Sequence, residues 1–182
     1  MEQAQLQKSS VKEGVLDAVK IGFGESYFSA FGIFLQGSAL QIGPLSTLPP
    51  LIGAICNSLG VWLMELLSHR RKLIGNCIRA QAIILLPLPL LPFLFENKAE
   101  SLPWIIALIC LYQMTIGSIA PVWNSWIGDL ISGDRRGQFF GFRTKCMAIA
   151  TFISLVVAGQ VLHLFQYLEF PAIGFAVCFV IA

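Results

Sequence analysis

The sequence predicts an all-α, polytopic transmembrane helical bundle of five full spans and part of a sixth, on three observations. The 182 residues are 56% apolar and only 12% charged, whereas soluble domains average roughly 45–50% apolar and about 25% charged. The apolar residues come in blocks of about 20, the length that carries an α-helix across about 30 Å of hydrocarbon. The basic residues are segregated. With a cytoplasmic N-terminus the inner side holds eleven of them (Lys8, Lys12, Lys20, Arg70, Arg71, Lys72, Arg79, Arg135, Arg136, Arg143 and Lys145) and the outer side only Lys98. That positive-inside asymmetry predicts an integral protein of a cell membrane, plasma or bacterial inner, with the loops at 68–72 and 128–145 cytoplasmic.

Residues 1–19 form a cytoplasmic N-terminal segment and 20–182 the membrane domain. The first segment is no signal peptide. Glu2, Lys8, Lys12, Glu13, Asp17 and Lys20 leave no apolar h-region and no small-residue cleavage site. Val11, Val15, Leu16 and Val19 fall at helical spacing, so the segment reads equally as a surface amphipathic helix or a solvated tail. The spans run over about 20–36, 43–67, 73–95, 102–127 and 146–165, with a sixth over 170–182. Thirteen residues of helix reach only about 20 Å, too short to cross, and this predicts a fragment of a longer protein. Short connections make successive helices antiparallel neighbours. Pro49, Pro50, Pro87, Pro89, Pro92 and Pro121 lie inside spans, where neighbouring helices can satisfy the carbonyls that proline frees.

Polar residues within the spans are the candidates for function. In the first span Gly22, Glu25 or Ser26, Ser29, Gly32 and Gln36 recur every three or four residues, a stripe that must face protein or water. Glu25 stands out, because an ionised carboxylate at the bilayer centre costs roughly 2.5–3.5 kcal/mol or more. Two readings compete: it binds a proton or a cationic substrate, or it lies near enough to the cytoplasmic face to pair with a basic loop. The second span carries Ser46, Pro50, Gly53, Asn57, Gly60 and Met64 on one stripe, where small residues permit close helix approach. Asn57 contacts either a substrate or a neighbouring helix. The fourth span repeats the pattern with Gln113, Gly117, Pro121 and Asn124, and Trp104, Trp123 and Trp126 mark its ends as aromatic belts do. In the fifth, Gln160 and His163 lie one turn apart, an interfacial pair or a proton relay.

Enzyme chemistry has no visible support. There is no GxSxG, HExxH, phosphate-binding loop or paired intramembrane carboxylate. The five cysteines are scattered without CxxC or Cys/His spacing, so neither a disulfide framework, a metal site nor a cofactor is expected. Nucleic acid is not an expected partner.

The segment from Trp126 to Lys145 is the most informative. Asp129 sits at the C-terminal end of a helix, where the dipole disfavours a negative charge, so it needs a basic partner. Gly137 and Gly141 lie one turn apart at the start of the next helix, a place for close packing. The succession Asp129, Arg136-Gly137 and Gly141 before a long apolar span resembles the loop between helices four and five of the major facilitator superfamily. Gln41-Ile42-Gly43 at the start of the second span and the short basic loop after it are also similar to that family. The resemblance covers the whole chain as an N-terminal six-helix half. The match departs at the loop between helices two and three. Gly60 and Arg70-Arg71-Lys72 fit the family pattern, but Leu66 occupies its Asp position with Glu65 beside it, and His69 replaces its second glycine. The arginine found in the fourth helix of proton-driven exporters has no counterpart.

The resemblance implies a secondary transporter of a small-molecule substrate working by alternating access, with the first and fourth helices lining the cavity. Glu25, Ser29, Gln36, Asn57, Gln113 and Asn124 are then its candidate wall. Glu65, Arg70, Arg71, Lys72, Asp129, Arg136, Gly137 and Gly141 are the candidate cytoplasmic gate, working by charge pairs weak enough to switch. Such a half needs a C-terminal six-helix partner or a second copy. The alternatives are a non-transporting membrane protein or truncated remnant, and an intramembrane lipid enzyme.

Overall fold

Long apolar runs bounded by Gly, Pro and charged residues dictate helices, and in the computed structural model, which describes residues 2–66, 70–95, 98–131 and 133–182, every regular element is helical. In order these are α1 (Glu2–Phe23), a 3₁₀ turn (Glu25–Tyr27), α2 (Phe28–Phe34), α3 (Ala39–Leu66), α4 (Arg70–Leu85), α5 (Leu91–Leu94), a second 3₁₀ turn (Lys98–Ser101), α6 (Leu102–Leu130), α7 (Gly133–Tyr167) and α8 (Pro171–Ile181). Among the described residues, three stretches are helical, long and apolar enough to cross a membrane: Ala39–Gly60, Ala99–Asp129 and Arg136–Tyr167. They coincide with the second, fourth and fifth predicted spans.

The other three blocks take different forms. The first is interrupted: α1 stops at Phe23 and the chain passes through Gly24 and a 3₁₀ turn before α2. Ser26 Oγ donates to the Ile21 carbonyl at 2.9 Å, supplying a partner to an acceptor at the end of α1. The third is divided by its prolines. Pro87 and Pro89 lack the N–H that would continue α4, so Leu86–Leu90 is a run of turns and only α5 follows. The sixth, α8, has 11 residues, about 16 Å of helix.

The chain forms two compact units, residues 1–28 with 128–182, and residues 29–127. In the first unit α1 runs parallel to α7, with Gly14 opposite Arg143 and Gly22 opposite Thr151 and Ser154. The buried face of α1 is Ser10, Gly14, Ala18 and Gly22, small residues at four-residue spacing, and α7 answers with buried Ser154 and Ala158. Such faces let helix backbones come close enough for van der Waals packing to hold them. A Cβ added at Gly22 would lie 2.5 Å from Ser154 Cβ and 2.9 Å from the Thr151 carbonyl. Helix α8 folds back on α7, with Gly174 against Phe165 and Leu162. Phe23, Ala158 and Cys178 form the core, flanked by Val19, Tyr27, Val161, Leu162 and Ala182.

In the second unit α2 and α3 are antiparallel, and α3 runs parallel to α6. Gly53 packs on Gln113, and Gly60 on Ser118 and Pro121. The closest approach is at Gly117, where an added Cβ would collide with the backbone carbonyl of Gly53. Phe31, Leu35, Leu88, Leu102, Ile105, Ile109, Tyr112 and Val122 are fully buried.

Both α2 and α7 end in a six-residue backbone clasp. Gly37 N–H donates to the Gly32 carbonyl and Gln36 N–H to that of Ile33; Phe170 N–H donates to Phe165 and Glu169 N–H to Gln166. That pairing requires a left-handed residue, ordinarily glycine. Here Gln36 (φ 60°) and Glu169 (φ 66°) take the position.

Candidate functional site

Glu25 begins the 3₁₀ turn that interrupts the first apolar block. Its carboxylate lies 3.7 Å from Lys20 Nζ, and that ammonium also meets Asp17 Oδ1 at 2.7 Å. Lys20 is thus shared between two carboxylates. The Lys20 and Glu25 side chains are 18% and 20% exposed, so neither charge is fully hydrated. Lys20 also stands in the last turn of α1, where the helix dipole favours a cation. Two residues on, Tyr27 Oη donates to the Leu155 carbonyl of α7 at 2.8 Å, and Gly159 leaves the slot that admits the ring: an added Cβ would lie 3.0 Å from Tyr27 Oη.

The rest of the first-span stripe divides between packing and polar contact. Gly22 and Gly32 are buried, Gly32 against Leu45. Ser29 is exposed and its hydroxyl pairs with Ser46 Oγ at 3.3 Å, joining the stripes of the first and second spans. Ser46 itself bonds the Ile42 carbonyl at 3.0 Å. Gln36 is the exposed left-handed residue closing α2. On the remaining wall candidates, Asn57 of α3 and Asn124 of α6 are exposed, and the Gln113 side chain lies over Gly53, its Oε1 3.4 Å from where a Cβ would stand.

The gate candidates are placed as follows. Glu65 falls in the last turn of α3, and Arg70 and Arg71 in the first turn of α4; their side chains, and His69, lie outside the described residues. Lys72 and Asp129 are exposed. Arg136 donates to the Gly128 carbonyl and, at 3.5 Å, to that of Ile131. It therefore caps the C-terminal end of α6, satisfying an orphan acceptor and the helix dipole together. Among the described residues, and leaving aside the chain neighbours and the backbone of α7 itself, no heavy atom stands within 4 Å of a Cβ added at Gly137 or Gly141. Close approach is made instead at Gly22, Gly60 and Gly117.

Sequence reasoning missed one cluster. Arg143 of α7 reaches across to α1, where Nη2 meets Glu13 Oε2 at 3.0 Å, Nε donates to the Ser10 carbonyl at 3.3 Å, and Nη1 lies 3.0 Å from Met147 Sδ. Gly14 makes the notch: an added Cβ would lie 2.9 Å from the guanidinium. The Ser10 hydroxyl beside it is buried with no hydrogen-bond partner among the described residues. The signal was present as the four-residue spacing of Ser10, Gly14, Ala18 and Gly22, hidden among charges. No group of three or more metal-ligating side chains occurs among the described residues. No protein-family model, curated protein or solved structure matches this chain.

Proposed function

We propose that the chain is the N-terminal half of a secondary transporter of the major facilitator kind, set in a cell membrane with its N-terminus cytoplasmic and moving a small solute by alternating access. The observation that carries the reading is Glu25: a carboxylate at an interruption between helices, within an otherwise apolar block, held by Lys20. Ionisable groups at membrane depth mark ion and substrate pathways, and irregular backbone is tolerated there only where protein buries it or water lines it. Transporter sites recur at such interrupted helices.

In this reading Glu25, Ser29, Gln36, Asn57, Gln113 and Asn124 contact the solute pathway, completed by a second six-helix half or a second copy. Glu65, Arg70, Arg71, Lys72, Asp129 and Arg136 work at the cytoplasmic end. The loose shared pairing of Lys20 supports a switching role: a 3.7 Å contact beside a 2.7 Å one is easily exchanged when a proton or cation reaches Glu25.

The test is a pattern of accessibility. Single cysteines replace residues 25, 29, 31, 35 and 36 in a chain lacking its five native cysteines, in membrane vesicles with a small impermeant maleimide. Positions 25, 29 and 36 label, while 31 and 35, both fully buried, stay protected. Protection at all five positions from both sides would make the polar stripe helix-packing material and remove the solute pathway.

A further inference from the structure

Helix α4 carries four cations and no acidic residue. Arg70, Arg71, Lys72 and Arg79 occur in a stretch, residues 66–95, that contains no Asp or Glu. Three of them stand in the first turn of α4, which has no acidic residue, where the positive end of the helix dipole makes cations unfavourable and anions welcome. Lys72, Asn76 and Arg79 lie at four- and three-residue steps, on one face of the helix, and all three are exposed.

Arg79 is the telling member. No ion pair joins it to a carboxylate among the described residues. Its guanidinium folds back along the helix over Gly75, whose missing Cβ would sit 3.8 Å from Nη2. Helix side chains lean toward the N-terminus, so the Arg79 guanidinium extends toward the charged first turn, the direction a cation snorkelling to an interface takes. Lys72 and Arg79 stand roughly 10 Å apart along the helix axis, on a face that also carries exposed Asn76. One turn past Arg79 the same face continues as Ile83, 70% exposed. Cations and an amide followed by bare hydrocarbon match a molecule with an anionic head and an apolar tail, and not a free inorganic anion.

We propose that Lys72, Asn76 and Arg79 form a binding site for the phosphate headgroup of an anionic phospholipid, whose acyl chain lies along Ile83. The inference rests on α4 being embedded in the bilayer and is independent of solute transport.

The experiment is native mass spectrometry of the purified full chain released from detergent containing equal phosphatidylglycerol and phosphatidylcholine of the same acyl chains. The native chain retains phosphatidylglycerol preferentially. Arg79→Gln and Lys72→Gln each lower that preference about fivefold, as expected for one juxtamembrane cation. Arg79→Lys keeps most of it, and Lys12→Gln, an exposed lysine on α1, leaves it unchanged. If Arg79→Gln does not fold, judged by helical circular dichroism, Lys72→Gln and Arg79→Lys decide. Equal retention of the two lipids by the native chain would overturn the site, as would a preference indifferent to positions 72 and 79. Loss of a dimer peak in Arg79→Gln with lipid preference intact would also overturn it, assigning the face to a second copy. Labelling of a single cysteine at position 83 by an impermeant maleimide in membranes separates the underlying reading: ready labelling refutes embedding of α4, whereas protection without lipid preference refutes the site alone.

Discussion

Arg143 and Ser10 show how a single small residue sets local energetics. With Gly14 beneath it, the Arg143 guanidinium lies flat on α1 and is only 12% exposed, while its partner Glu13 is 47% exposed. A half-exposed ion pair contributes about 0–1 kcal/mol, so Glu13→Gln changes stability little. Arg143→Ala removes hydrogen bonds to Ser10 and Met147 as well and costs about 1–3 kcal/mol, read as a lower midpoint of thermal unfolding in detergent. The buried Ser10 hydroxyl has no partner among the described residues, and desolvating such a group without compensation is unfavourable. Ser10→Ala is therefore neutral or raises the midpoint; a clear fall would mean that the hydroxyl has an unseen acceptor. Gln36 and Glu169 occupy left-handed positions that cost a non-glycine residue roughly 1–2 kcal/mol. Glu169→Gly stabilises the chain by up to about 1 kcal/mol once the greater freedom of unfolded glycine is included.

Among the elements, glycines separate into two groups with opposite expected behaviour. Gly22, Gly60 and Gly117 sit where helices touch backbone to backbone, whereas Gly137 and Gly141 stand in open space on α7. Gly117→Ala forces α3 and α6 apart and costs about 1–3 kcal/mol, the usual range for overpacking. Gly137→Ala and Gly141→Ala meet nothing and gain up to about 1 kcal/mol each from helix propensity. Unfolding midpoints of the three variants check the contrast directly. These elements also show what was legible. The stretches 39–60, 99–129 and 136–167 were readable because uninterrupted apolar runs have one physical outcome at that length. The 3₁₀ turn after Gly24 was not readable, and the helix within residues 1–19 was readable only as one of two alternatives. Charges at Lys8, Lys12, Glu13 and Asp17 outweigh, in any hydropathy reading, the small-residue face that packs on α7. Proline gave opposite outcomes: α3 absorbs Pro44, Pro49 and Pro50, whereas α4 ends before Pro87 and Pro89.

For the whole molecule, each unit contains one parallel pair of helices packed through small residues, α1 with α7 and α3 with α6, and an antiparallel neighbour that turns the chain back. This is what a membrane bundle with short connections requires, since only alternating directions return the chain across the bilayer. The candidate site was legible as residue types: Glu25, Ser29 and Gln113 were chosen because polar groups inside apolar blocks need a reason. Their partners were not legible, because Lys20 with Glu25 and Ser29 with Ser46 depend on side-chain reach and helix register. Nor was it visible that Arg136 meets the carbonyls ending α6. The orientation drawn from the basic residues predicts that a cysteine at position 98 labels only from outside intact cells, while one at position 145 labels only from inverted vesicles.

The most direct test of the central claim is the sidedness of a single cysteine at position 25, measured as the rate of modification by an impermeant maleimide in right-side-out and inverted vesicles made from cells expressing the gene. Alternating access predicts modification from both sides, with the ratio of the two rates shifting when a transported solute is added to one of them. A rate of zero from both sides, or modification from the cytoplasmic side alone that no solute alters, would contradict it and leave Glu25 as a structural ion pair with Lys20.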